Sequence, residues 1–82
     1  MIKVYQYPSC PYCRKVINAI TELKLKSGED YLLIEASHGT SGREEVIRLG
    51  GKGQVPFLVD GDVKMYESDD IVQYIRKKFS KA

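Results

Sequence analysis

Hydrophobic and polar positions change period several times along this chain, and each change predicts an element boundary. Residues 2–7, IKVYQY, alternate and are rich in β-formers, which predicts a strand ended by Pro8. From Cys13 the apolar positions Val16, Ile17, Ile20 and Leu23 share one face of a helix. That helix starts at the cysteines, takes Pro11 into its first turn, and runs to about Lys26, with Gly28 to stop it. Residues 31–36, YLLIEA, are an apolar run too short for a helix, which predicts a strand buried on both faces. Strand, helix, strand makes a βαβ unit with a right-handed crossover.

The second half changes style. Ser41 with Glu44 fits a capping box opening a short helix through Val46, Ile47 and Leu49, closed by Gly50 and Gly51. Its thin apolar face predicts shallow burial. Residues 56–60 and 63–67 flank the turn pair Asp60-Gly61, so these strands are expected to be an antiparallel hairpin. Ser68, Asp69 and Asp70 precede the stripe Ile71, Val72, Ile75 and Phe79, a cap and two acids leading into a last helix. The order is βαβαββα, an α/β arrangement.

Composition narrows the function classes. At 82 residues the chain has room for one domain, 1–82, with one modest core. A charge of +2, with 43% hydrophobic and 29% charged residues, fits a globular protein for which neither nucleic acid nor an anionic membrane is the main partner. No stretch approaches the roughly 18 apolar residues of a membrane span, and MIKVYQY lacks the apolar run of a signal peptide, so a cytoplasmic location is expected.

Both cysteines lie in YPSCPYCRK. In a reducing compartment, two cysteines at this spacing are a redox pair or half a metal site. A metal is not expected, because four ligands are needed and only His38, in a Gly/Ser/Thr loop, adds a nitrogen donor. Cysteines three apart on a helix share a face and come near enough for a disulfide. Cys10 meets the positive end of the helix dipole, which favours a thiolate there, so Cys10 is read as the exposed nucleophile and Cys13 as the deeper, resolving thiol. Pro11 and Tyr12 stiffen and flank the turn.

With CPYC after the first strand, QVP before the third and YESDDI at the last helix, the chain resembles a glutaredoxin over nearly its whole length. It is especially similar to the subgroup whose domain resembles the N-terminal domain of glutathione transferases. The resemblance implies a thioredoxin-like fold, with a mixed four-stranded sheet and three helices, acting as a monomer. It also implies a glutathione-dependent oxidoreductase that reduces protein disulfides and glutathione mixed disulfides, with glutathione as reducing co-substrate. Carried over by position, Val55 before a cis Pro56 pairs its backbone with the glutathione cysteine, and Pro56 and Tyr12 flank the thiols. Ser68 and the amides of the last helix hold the γ-glutamyl carboxylate, Asp69 the ammonium, and Lys52 or Gln54 the glycyl carboxylate.

Two positions depart from that pattern: Tyr7 stands where many glutaredoxins carry a lysine, and Glu67 replaces a glycine before Ser68. The alternatives are a redoxin served by thioredoxin reductase or a dedicated partner, and a glutathione-binding module without turnover. A full transferase is not expected, since no helical second domain follows residue 82.

Overall fold

The computed structural model describes residues 1–79. Its elements follow the expected order: β1 (Ile2–Gln6), α1 (Pro11–Glu22), β2 (Tyr31–Glu35), α2 (Ser41–Gly50), β3 (Phe57–Asp60), β4 (Val63–Met65) and α3 (Ser68–Phe79). The sheet runs β2-β1-β3-β4, with β1 parallel to β2 and antiparallel to β3, and β3 antiparallel to β4. This is the mixed, four-stranded thioredoxin-like fold.

The period of two along β1 divides the core into two layers. Ile2 and Val4 point to one face, where they meet Val16 and Ile20 of α1, Leu58, and Ile71 and Ile75 of α3. Tyr5 points to the other, with Phe57, Ala36 and Val46 of α2. Full burial of each large apolar side chain contributes about 1.5–3 kcal/mol, so both layers stabilise β1 from opposite sides. The Tyr5 hydroxyl, at the polar tip of an otherwise buried ring, donates to Glu45 at 3.1 Å.

Several expectations need correction. The strand buried on both faces is β1; β2 pairs on one side only, and Leu32 and Leu33 remain 37% and 38% exposed. An apolar run of that length does not distinguish a central strand from an edge. Helix α1 ends at Glu22, short of Lys26, because Lys24 turns left-handed at φ 56°. That reversal lets both Leu23 and Leu25 pack on the core, and the Asp30 carboxylate then accepts from the Lys26 amide at 2.8 Å to close the loop. Thr40, one residue before the expected cap, is the N-cap of α2, its hydroxyl accepting from the Arg43 amide at 3.2 Å. The hairpin loop is Gly61-Asp62, Asp60 being already paired with Val63.

Helix α3 is tied to that hairpin. Asp60 accepts from both Lys78 and the Tyr74 hydroxyl, and these two partners, Lys78 first, hold its carboxyl below the usual carboxylate range. Among the described residues no helix is long and apolar enough to cross a membrane.

Candidate functional site

Three segments meet at one end of the sheet. The first is the N-terminus of α1. Cys10 is its N-cap, in an extended conformation, and the Cys10 sulfur accepts from the Cys13 amide at 3.3 Å, satisfying one of the helix's unpaired donors. Pro11, at the first helical position, lacks an N–H that would need a partner. Both thiols are free. Cys10 was expected to be exposed, yet only 4% of it is accessible, because capping folds its side chain back over the first turn. Cys13 lies fully inside.

Burial, the hydrogen bond with Cys10 and the Cys10 charge together push the Cys13 thiol up to about 12. A group whose pKa is raised on folding stabilises the fold below its unfolded value and loses that contribution as pH climbs through the folded value. Between about pH 9 and 12 the unfolded chain binds fewer protons than the native one, so stability should fall by up to about 1.4 kcal/mol per pH unit. Cys13→Ala should flatten that alkaline slope in denaturant titrations. An unchanged slope would show that the buried thiol does not hold its proton.

The second segment is the loop before β3. The Val55–Pro56 bond is cis, as expected. Gln54, Val55 and Pro56 line one wall of a cleft of about 390 Å³. The third segment is Tyr66 to Asp69, which forms the opposite wall, and Tyr12 and Lys15 of α1 complete the lining. Lys15 Nζ lies 3.8 Å from the Asp69 carboxylate and 5.7 Å from the centre of the Tyr12 ring. The Glu67 carbonyl accepts from the Ile71 amide at 2.9 Å, so Ser68 lies within the first turn of α3 rather than ahead of it. Ser68 is 92% buried by the same packing that buries Ile71, its accessibility being 8%.

Tyr12, Gln54, Val55, Pro56, Ser68 and Asp69 are thus brought together. Cys10, Pro11, Cys13 and Lys52 stand outside the lining, the Lys52 ammonium over the face of Tyr66, 5.8 Å from the ring centre.

Two residues that the sequence reading passed over hold the walls. The Arg43 guanidinium is buried, its Nε donating to the Ala36 carbonyl at 2.7 Å and its Nη1 to the Gly53 carbonyl. It therefore pins the loop that carries Gln54 and Val55 to the end of β2. Tyr66 stacks on Phe57 at 4.6 Å between ring centres, and its hydroxyl both accepts from the Lys52 amide and donates to the Lys52 carbonyl, each at 3.0 Å. Gly50 leaves the space that this hydroxyl occupies, since a Cβ there would run into it. An arginine inside a polar helical stretch carries no mark of burial; the glycine pair at the end of α2 was the available sign of close approach, and it read equally well as a helix stop.

Among the described residues no group of three or more His, Cys, Asp or Glu could hold a metal ion.

Comparison with known proteins refines the family. Residues 4–82 match the family described as glutathione S-transferase, N-terminal domain. Glutathione S-transferase F6 of Arabidopsis thaliana is 34% identical over 79 residues, covering 96% of this chain and 37% of the relative. Glutathione S-transferase 4 of Zea mays is 32% identical over 79 residues, covering 94% and 34% respectively. The chain thus spans little more than a third of the length of these relatives. Glutathione transferase F7 from Populus trichocarpa superposes with a TM-score of 0.79 at 23% identity, over all of this chain and 38% of that one. Isozyme E7 from Drosophila melanogaster gives 0.81 at 21% identity, covering 100% and 36%. At those identities the two likenesses concern the fold. The resemblance seen in CPYC is therefore narrowed to its transferase-like side. The chain belongs to the glutathione S-transferase N-terminal domain family.

Proposed function

We propose that the cleft binds glutathione and that Cys10 and Cys13 exchange disulfides with it. The observation that carries this reading is the meeting of three chemically distinct features in one cleft: the backbone at Val55 before a cis proline, a helix N-terminus with Ser68 and Asp69, and Tyr12 from the turn between the two cysteines. Glutathione is a tripeptide with a central thiol, two carboxylates and one ammonium, and needs a partner of each kind. Val55 pairs with its cysteine backbone, Ser68 and the first amides of α3 take the γ-glutamyl carboxylate, and Asp69 takes the ammonium. The glycyl carboxylate falls to Gln54, which lines the cleft, in preference to Lys52, which does not.

In the reaction the Cys10 thiolate attacks the glutathione sulfur of a glutathionylated protein. The S–S bond breaks, the protein leaves as a thiolate that takes up a proton, and Cys10 is joined to glutathione. A second glutathione thiolate then attacks that glutathione sulfur, returning Cys10 as thiolate and releasing oxidised glutathione. One free glutathione is consumed for each protein mixed disulfide reduced, the other half of the oxidised glutathione coming from the mixed disulfide itself. For a protein disulfide the Cys13 thiolate resolves the Cys10 mixed disulfide instead, and the resulting Cys10–Cys13 disulfide is reduced by two glutathiones.

The near-complete burial of Cys10 favours a second reading, a glutathione-binding module without turnover, and the names of the relatives agree with it as well. A glutathionylated peptide, incubated with the protein, glutathione, glutathione reductase and reduced nicotinamide cofactor, separates the two. Catalytic release of free peptide is expected; tight glutathione binding with release no faster than the protein-free control would overturn the exchange reading and leave the module.

A further inference from the structure

Among the described residues Lys15 is the one cation lining the cleft, which it shares with two acidic residues, Glu67 and Asp69. It reaches there from α1, across to the first turn of α3, and its ammonium stands 3.8 Å from Asp69. The two side chains are 55% and 80% exposed, so the ion pair adds little to the stability of the fold. Its position over the Tyr12 ring keeps the ammonium on the rim, on the same side as the thiol-bearing turn. An anionic ligand entering a cleft lined by two acidic residues meets repulsion unless a cation offsets it.

We infer that Lys15 is a specificity-determining residue, its ammonium holding the α-carboxylate of a γ-glutamyl head group while Asp69 holds the α-ammonium of the same head. This rests on the glutathione reading above and adds a residue to it. An amino-acid head carries one charge of each sign on a single carbon, and Lys15 with Asp69 presents the complementary pair a few ångströms apart. On binding, one protein–protein ion pair is exchanged for two protein–ligand pairs, and neither charge of the head group is left without a partner. A ligand that keeps the ammonium but lacks the carboxylate takes Asp69 away from Lys15 and gives Lys15 nothing in return, so the cleft discriminates against it.

The test is calorimetric titration of the reduced full chain, as wild type, Lys15→Gln and Lys15→Arg, with two ligands. One is glutathione; the other is 4-aminobutanoyl-cysteinylglycine, which retains the terminal ammonium and lacks the α-carboxylate. Lys15→Gln should weaken glutathione about fivefold while Lys15→Arg retains the affinity. Lys15→Gln should bind the analogue at least as tightly as wild type, because the group that Lys15 recognises is missing from it and no ion pair with Asp69 has to be given up. Glutathione binding in Lys15→Gln as tight as in wild type, or tighter, would make the lysine a bystander or a competitor for Asp69 and overturn the inference. Equal losses toward both ligands would overturn it too, showing only a general charge effect. A wild type that binds no glutathione would bring down the underlying reading itself, an outcome distinct from the other two.

Discussion

Cys10→Ser should lower every thiol-exchange rate by about three orders of magnitude or more, because a serine hydroxyl is not ionised near neutral pH and cannot replace a thiolate. Cys13→Ser should divide the reactions. Removal of glutathione from a mixed disulfide is completed by an outside glutathione and should survive, whereas reduction of a protein disulfide needs internal attack by Cys13 and should fall steeply. The geometry explains how so reluctant a thiol can resolve. Burial, the hydrogen bond with Cys10 and the Cys10 charge are the causes that hold the Cys13 proton. Burial, the largest cause, persists once the Cys10 sulfur is tied in a mixed disulfide, while the charge is lost and the hydrogen bond weakened. Cys13 thus becomes the better nucleophile at the stage that calls for it. Both variants should be assayed for both reactions with glutathione as reductant. Equal loss of the two in Cys13→Ser would exclude resolution by glutathione and point to a dedicated reductase.

Gly42→Ala should destabilise the fold by about 3 kcal/mol, at the upper end of the usual penalty for overpacking. In most helices the same change is favourable by about 1 kcal/mol, because alanine is the better helix former. Here the sign reverses for a steric reason. Gly42 is buried in the first turn of α2, and a Cβ would run into the carbonyl oxygen of Glu35, at the end of β2, with the Ile34 side chain 3.2 Å away. The oxygen belongs to backbone already in the sheet, so it cannot swing aside as a side chain would. A loss of this size lowers the melting temperature by about 12–24 °C in a domain this small. Gly39→Ala, where φ is +85° and no atom would touch the new methyl, isolates backbone strain and should cost about 1–2 kcal/mol. A thermal melt of Gly42→Ala at or above wild type would refute the close approach of α2 to β2.

How far such features can be read from sequence depends on whether the signal is local. The faces of α1 and α3 were legible because period and packing coincide: Val16, Ile20, Ile71 and Ile75 all enter one layer of the core. The hairpin was legible from its turn residues, and the cleft from the joint placing of CPYC, QVP and YESDDI. Long-range matters were not. Whether β2 is central or marginal depends on which strand pairs with β1, and an apolar run says nothing of that. The burial of Arg43 follows from two carbonyls contributed by distant loops, Ala36 and Gly53. Tyr66 appeared as one more strand residue, although its hydroxyl fastens the Lys52 backbone. The fate of the Cys10 side chain turned on a choice between capping its own helix and facing outward, and the spacing of the cysteines is the same for both.

The place of β1 in the sheet has a consequence for how the chain acquires its structure during synthesis. β1 is translated before the elements that flank it: the strand on one side comes from residues 57–60 and the helix that shares its core layer with α1 comes from Ser68–Phe79. A nascent chain that has emerged only as far as β2 has one parallel pairing and a helix with half its apolar face uncovered. Such non-local closure is slow, since the entropy of a long loop is lost before its contacts form. β1 therefore waits for α3, and residues 2–35 stay open to chaperones and proteases until residues 57–79 arrive.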